Sequence, residues 1–554
     1  MEPDGMTIDA KPTEAQPSPG SHAEGAPQRG KASRLWRPKR GLEARAEPAP
    51  EEAPAEGLLA VFRDVTRTAI DRLSEHLDAD RLLQHSMAAL IEMAASRYAL
   101  DPGAAWAPGQ PLKLLLAGYS GTRNTGADVR VEEMIRQFRH LFGDENVDLS
   151  ILTIDPELTR GYFRTVKQLH LPKVFPRFLF ETVHAQHGVV ACEGSMFKSK
   201  FANALSTMMV GALGLAGAEQ KLAVGYGGEA GKMDRSLQGM VRRYCGDAMI
   251  ITRNEASREV LAELGVASRP GTDTAWTFDP AASEIGQKIL RDAGWDGKTP
   301  ILALCPINPF WWPVKPDVSR AAMKTLTGMQ DDAHYGSIYF HEAGSHVDAA
   351  QARYIEGIAG AVRRFREEAS FFPVMFGSEQ LDRGACEQLA EAIGGAPVIV
   401  SDEHDMYGMV SAMRQASYMI SSRYHAIVTT MAGGVISAGI TMDERIRNLM
   451  ADRGQPHLAL EVDDPELEAH LLETLRVLFR DAEAIGEGID RCYVANLERM
   501  GEMGVALVDY VRERHPQMPF RPELGSIHTG GQGDPWAHLP PLSEPIQAIV
   551  QRVR

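Results

Sequence analysis

Cysteine is scarce in this chain, with five among 554 residues: Cys192, Cys245, Cys305, Cys386 and Cys492. The count is odd, the spacings are wide and no Cys-x-x-Cys occurs. That argues against a disulfide scaffold or a cysteine metal site and suits a reduced, cytoplasmic chain. Positive charge is also short. The chain has 58 Lys and Arg against 74 Asp and Glu, a net charge of −16. Generic nucleic-acid and anionic-membrane binders are basic overall, so no nucleic-acid partner is expected, and an anionic substrate must be held by local cations. Long apolar runs are missing too. The two longest stretches without Asp, Glu, Lys or Arg run from Phe201 to Ala218 and from Tyr424 to Met442. Glycines and polar residues interrupt both, so they read as buried helices and strands, and no transmembrane segment is expected. The N-terminus has no basic region followed by an apolar one, so no signal peptide is expected.

What is present suffices for a large core. Apolar residues make up 44% and charged residues 24%, and the length predicts two large domains with extensions or about three units. Residues 1–56 hold nine of the 33 prolines and few large apolar side chains, which predicts disorder. Within them the basic patch Lys31–Arg45 around Trp36 reads as a solvated charge run, with a membrane or partner tether as its functional alternative. Residues 57–110 show helical apolar spacing and predict a helical extension.

From residue 111 to 285, apolar runs alternate with helical patterns. LKLLLA at 112–117, 147–154, GVVAC at 188–192, KLAVG at 221–225 and AMIIT at 248–252 are the expected strands. A second such set fills 298–460, with strands expected at 301–305, 337–340, 372–376, 398–401, 418–421 and 435–440. Closing helices are expected over 461–520 and a mobile tail over 521–554. The pattern predicts an α/β protein of two doubly wound domains facing a central cleft. Ligands of such sheets bind beyond the carboxyl ends of the strands, so residues directly after strands are the candidates.

Five segments stand there. Gly118–Gly126 (GYSGTRNTG) brings Asn124 and Gly126 to a helix start, where an anion or a cap would sit. Cys192–Lys198 (CEGSMFK) offers Glu193 as a base and Ser195 as a phosphate contact or cap. Gly225–Lys232 (GYGGEAGK) offers Gly228 and Glu229 in a glycine-rich loop. Arg253, between a strand and a helix, suits either a bidentate contact to carboxylate or phosphate or an ion pair with Glu255 or another neighbour. Arg423-Tyr424-His425 pairs a permanent cation with a titratable group at a helix N-terminus, an anion clamp and a general acid. Trp311, in PINPFWWPVKP, could stack on a sugar face or pack in the core. His341-Glu342…His346 is not HExxH, and no metal site is expected.

In this order and on this architecture the elements resemble the polysaccharide pyruvyl transferase family. The matching residues are Asn124-Thr125-Gly126, Arg253-Asn254-Glu255-Ala256-Ser257, Leu264-Gly265-Val266, Asp273-Thr274-Ala275, Arg423-Tyr424-His425-Ala426 and Gly439-Ile440, over about 112–450. The chain departs where Ala127 precedes Asp128, where Cys192-Glu193-Gly194-Ser195 replaces a run of glycines, and where Gly228-Glu229-Ala230-Gly231 lacks a Gly-Pro element.

The resemblance implies two Rossmann-like domains in a GT-B-like arrangement. It implies phosphoenolpyruvate as donor substrate, no cofactor and no metal. The acceptor would be a saccharide or lipid-linked saccharide in polysaccharide biosynthesis, the product a pyruvate ketal. Arg253 and Arg423 would hold the donor. His425 would act as general acid or assist phosphate departure, and Glu193 or Glu229 would be the base. Asn124, Gly126, Ser195, Gly228 and Trp311 would complete the binding surface. Peripheral membrane contact would follow if the acceptor is lipid-linked. Two other readings fit the same residues: a nucleotide-sugar glycosyltransferase or epimerase of the same double fold, and a non-catalytic relative in a polysaccharide assembly complex.

Overall fold

A strand buried in a parallel sheet is covered on both faces and is apolar over nearly its whole length, which selects LKLLLA as an interior strand, with Lys113 alone exposed. The computed structural model describes residues 78–317, 320, 339–521, 524 and 533–554. In it that run is β1 (Leu112–Ala117), an interior strand of a seven-stranded parallel sheet. The other strands are β2 (Val147–Thr153), β3 (Lys167–His170), β4 (Gly188–Ala191), β5 (Leu222–Gly228), β6 (Met249–Thr252) and β7 (Ser268–Pro270), in the order β3-β2-β1-β4-β5-β6-β7. The edge strands β3 (KQLH) and β7 (SRP) escape the apolar pattern because an edge needs no apolar run.

Beyond residue 300, β8 (Ile301–Cys305) leads to an antiparallel ribbon of β9 (Lys315–Pro316) and β10 (Tyr339–Phe340). Then come β11 (Phe372–Gly377), β12 (Val398–Val400), β13 (Tyr418–Ser421), β14 (Ile436–Thr441) and β15 (Ala459–Glu461). The second sheet is parallel, six-stranded and ordered β12-β11-β8-β13-β14-β15. The fold is therefore α/β with two doubly wound, Rossmann-like domains. The strand expected at 337–340 is not in the main sheet: its described part pairs Tyr339 with Pro316 and Phe340 with Lys315.

Chain direction switches between β1 and β4 in the first sheet and between β8 and β13 in the second. Such switch points leave a crevice at the strand ends. The loops after β1, β4 and β13 are those the sequence singled out.

The run 201–218 is the helix Asn203–Ala218, packed under the helix Ala79–Leu100. The crossing needs small residues: a Cβ on Gly211 would lie 2.4 Å from Met87 Cε, and one on Gly214 2.7 Å from Ile91 Cδ1. The helix Ser283–Asp292 starts within the bounds expected for the first domain (111–285) but packs on the second, where Gly286 N donates to Ser411 Oγ (3.2 Å).

The 33-residue helix Ala482–Arg514 ties both domains together. It meets the second domain where Gln455 Nε2 donates to the Ile485 carbonyl (3.0 Å). It meets the first where Gln137 Nε2 donates to the Met500 carbonyl (3.0 Å). The tail differs from expectation. Residues 535–538 form a 3₁₀ turn and Glu544–Val553 a helix with Ile546 and Ile549 buried, because an apolar stripe inside this polar segment finds the long helix to cover it. The disorder expected of 1–56, the tether at 31–45 and the helical reading of 57–77 lie outside the described residues. Among the described residues, no helix is long and apolar enough to cross a membrane. All five cysteines are buried and unbridged.

Candidate functional site

A cavity of about 1310 Å³ opens between the two sheets at their switch points. Its walls include Asn124, Gly126, Glu193 and Ser195 from the first domain and Trp311, Arg423 and His425 from the second. Seven of the ten expected site residues thus share one space. Gly228, Glu229 and Arg253 stand behind it.

His425 opens the helix Tyr424–Met431, directly after β13. Its Nε2 lies 3.2 Å from Asp273 Oδ2 of the first domain. Asp273 is fully buried, and despite burial the Arg130 charge, the His425 hydrogen bond and the Arg253 charge hold it well below the usual carboxylate range. An ionised carboxylate only accepts, so Nε2–H of His425 donates to it. Burial pushes the His425 pKa down, the positive charges of Arg130 and Arg253 add to that, and Asp273 only partly opposes it. The imidazole is therefore neutral at pH 7 and its Nδ1 carries a lone pair. For the expected general-acid role the ring must therefore first take up a proton. Nδ1 faces Gly126, where a Cβ would stand 2.3 Å away, so only glycine leaves room for the ring.

The expected role of Arg253 is corrected. Its guanidinium is buried, ion-paired to Asp273 (2.9 Å) and Glu229 (3.1 Å), with Tyr424 covering it at 4.6 Å. It charges the wall behind His425 and does not reach the cavity. Glu229 cannot serve as the base for a hydroxyl. It is 1% exposed and bonded to Lys198, Arg253 and Asn254 Nδ2 (2.8 Å). Burial would raise it, but Arg253 and Lys198 outweigh burial and hold it at about 2. Gly228 contacts no ligand space either: a Cβ there would meet Met196 Cε at 2.8 Å, so its smallness serves packing.

Arg423 does line the cavity, and it is heavily paired. Its Nε donates to both carboxylate oxygens of Asp382 (3.1 and 2.9 Å), and Nη2 donates to Glu379 (2.9 Å). Burial raises Asp382 to about 6, with Arg423 opposing and Glu379 adding. Glu193 accepts from its neighbour Gly194 N (2.7 Å) and lies 4.0 Å from Arg130 Nη1. Asn124 caps its helix by accepting from Ala127 N (3.2 Å) while lining the cavity, so the two readings of it coexist. Ser195 is 8% exposed. Trp311 stacks on His341 at 4.3 Å and presents a ring to the cavity. Among the described residues, no group of three or more His, Cys, Asp or Glu is gathered to hold a metal.

Four partners were not read as site residues from the sequence. Arg130, fully buried in a helix, lies 2.9 Å from Asp273. Asp382 and Glu379 follow β11, a position the strand-end rule covers. Arg445, just past β14, lines the cavity and is paired to Asp443 (2.8 Å).

No protein-family model matches the chain, and no curated protein matches it. Solved structures with a related arrangement include a UDP-GlcNAc 2-epimerase from Neisseria meningitidis (9% identity, 73% of this chain and 100% of the epimerase, TM-score 0.43). Another is a protein assigned as a UDP-N-acetylglucosamine 2-epimerase from Listeria monocytogenes (10%, 73% and 97%, TM-score 0.46). A third is an O-GlcNAc transferase mutant from Thermobaculum terrenum (12%, 74% and 68%, TM-score 0.38). None of the three is described as a pyruvyl transferase. At these scores the likenesses carry neither activity nor residue roles to this chain.

Proposed function

We propose that the cleft is the active site of a group-transfer enzyme whose acceptor is a saccharide hydroxyl and whose donor is phosphoenolpyruvate. One observation carries this reading. The sequence elements that resemble pyruvyl transferases, far apart in the chain, converge on one imidazole: Gly126 abuts His425, and Asp273 holds His425 while pairing with Arg253.

The chemistry follows from the protonation states. Neutral His425 takes the proton of the attacking hydroxyl at Nδ1 and becomes the acid that delivers it to the enol carbon, turning CH₂ into CH₃. The hydroxyl oxygen bonds to the central carbon. The bond from that carbon to the phosphate oxygen then breaks. A second hydroxyl closes the ketal and its proton leaves with phosphate. Asp273 fixes the tautomer and stabilises the passing imidazolium, while Arg130 and Arg253 hold Asp273 ionised and favour prompt return of the proton. Arg423, at a helix N-terminus, is the cation best placed for the donor anion.

A second reading, a nucleotide-sugar transferase or epimerase, is favoured by two features. The cavity exceeds the ~300–1,000 Å³ common for small-ligand sites, giving room for a nucleotide. Its lining is also not cationic: Lys173, Arg423 and Arg445 face Asp155, Glu193, Glu379 and Asp382. Calorimetry separates the two. Saturable phosphoenolpyruvate binding, lost in Arg423→Ala, is expected on the first reading. Binding of UDP-sugars without phosphoenolpyruvate replaces it with the second.

A further inference from the structure

Three arginines are buried among the described residues: Arg130, Arg253 and Arg453. The first two share Asp273 (2.9 Å each). Arg453, 4% exposed, differs. Its Nε donates to Gln455 Oε1 (2.9 Å), Nη1 to Ser437 Oγ (3.1 Å) and Nη2 to the Ser437 carbonyl (3.0 Å). All three acceptors are neutral, and among the described residues no carboxylate pairs with it. Of the five N–H groups of a guanidinium, two are left over, one on each Nη. Burial pulls the Arg453 pKa down to about 10, opposed only by the Cys492 thiol. A buried cation without a counter-charge costs stability, and an apolar side chain of similar volume would avoid that cost.

Arg453 lines a second cavity, of about 690 Å³, between the end of the helix Glu444–Asp452 and the junction of the helices Leu467–Arg480 and Ala482–Arg514. This cavity shares no residue with the cleft, and its size suits a small organic molecule. The carboxylates and the other arginine on its wall are matched: Asp452 to Arg499 (3.8 Å), Asp481 to Arg480 (2.8 Å) and Arg491 to Glu487 (3.4 Å). Arg453 therefore leaves one positive charge in excess. Val477, Ala484, Ile485 and Ala495 make part of the wall apolar. We infer that this cavity is a second ligand site and that its ligand is a small organic monocarboxylate, with the carboxylate on Arg453 and the apolar body along Val477, Ala484 and Ile485. One negative charge neutralises the site. A phosphate dianion overshoots it beside Asp452 and Asp481, and so is the weaker ligand. The inference does not depend on the reaction assigned to the cleft.

The test titrates the full-length protein by calorimetry, at constant ionic strength, with benzoate, benzyl alcohol and inorganic phosphate. The proteins are wild type, Arg423→Ala, Arg453→Met and Ala484→Asp. Arg423→Ala removes a cation of the cleft, so binding that survives in it belongs elsewhere. Ala484 is exposed in the first turn of its helix, where an acidic side chain is favourable, so Ala484→Asp keeps the fold. Thermal melts check every variant. Benzoate should bind Arg423→Ala as it binds wild type, and roughly tenfold or more tighter than benzyl alcohol or phosphate. Arg453→Met should weaken benzoate by a similar factor. Ala484→Asp, which adds a carboxylate to the wall, should weaken it about threefold or more. If Arg453→Met fails to fold, Ala484→Asp decides alone. Absence of benzoate binding to Arg423→Ala overturns the inference, as does equal affinity for benzyl alcohol. So does a preference for phosphate, or benzoate affinity that the folded variants at 453 and 484 leave unchanged.

Discussion

Gly126→Ala tests the centre of the site with one methyl group. Glycine within a helix costs up to about 1 kcal/mol relative to alanine, so at an indifferent position the substitution would stabilise the protein. Position 126 is not indifferent. The new Cβ would lie 2.3 Å from His425 Nδ1, 2.5 Å from its Cγ and 2.6 Å from its Cβ. Three atoms of one half-buried side chain cannot all retreat without moving the ring. Overpacking of this kind costs about 1–3 kcal/mol. The net expectation is a loss of about 1 kcal/mol where helix propensity alone forecasts a gain. The displaced ring also loses its 3.2 Å bond to Asp273. Urea denaturation measures the first effect, and an NMR titration of the His425 ring the second. The His425 pKa should shift in the variant because its hydrogen bond and burial both change. A variant that is more stable than wild type, with an unaltered His425 titration, would refute the geometry and the catalytic argument built on it.

Glu229→Gln should destabilise the fold by about 3 kcal/mol or more, because Lys198 and Arg253 are left as buried cations short of a partner. A normal denaturation midpoint with lost turnover would restore Glu229 as a base. His425 is depressed when folded, so the unfolded chain takes the proton first as pH falls below about 6.5. Its contribution to stability is therefore present above that pH and lost below it, and His425→Gln should flatten this part of the stability curve. A steeper curve in the variant would reverse the sign. Asp382 is raised to about 6, so at pH 7.5 it is ionised and holds Arg423. Asp382→Asn should tighten phosphoenolpyruvate binding at pH 7.5 by roughly tenfold or more, by removing one buried carboxylate from the anion's side. Calorimetry showing weaker binding would mean that Asp382 positions Arg423 productively.

The fold was legible because parallel sheets write themselves as apolar runs. GVVA and ILALC could be placed from composition alone. The edge strands KQLH and SRP could not, since an edge has only one paired side and carries no such signature. The site was legible by position and less so by role. Strand-end reasoning reached Asn124, Glu193, Trp311, Arg423 and His425, all on the cavity wall. It erred at Arg253, Glu229 and Gly228 because sequence order cannot tell whether a side chain after a strand turns into the cleft or under the neighbouring loop. Arg130 was invisible for a related reason. Mid-helix arginines read as surface, and only tertiary packing shows that its guanidinium, 0% exposed, meets Asp273 from within the core.

These errors share a cause that bears on mechanism. A chain of net charge −16 that handles an anion needs cations, yet Arg130, Arg253, Arg423 and Arg445 are each paired to a carboxylate. Bare guanidinium groups in a buried cleft would be too costly to keep, so each is matched to a carboxylate. The two sets differ in what could be exchanged. Asp273 lies far below its usual range and keeps its proton off, which makes the Arg130–Asp273–Arg253 unit a fixed part of the wall that sets the state of His425. Asp382 titrates at about 6 and sits beside an arginine 23% exposed to the cavity. Protonation there loosens the hold on Arg423, leaving Glu379 as its carboxylate partner and favouring an incoming anion, whereas protonating Asp273 would weaken the His425 hydrogen bond. Donor binding should therefore strengthen between pH 7.5 and 6 while the proton-accepting step weakens, so the saturation constant and the maximal rate should move in opposite directions with pH. A common pH dependence for both would show that Arg423 and His425 are not separately controlled.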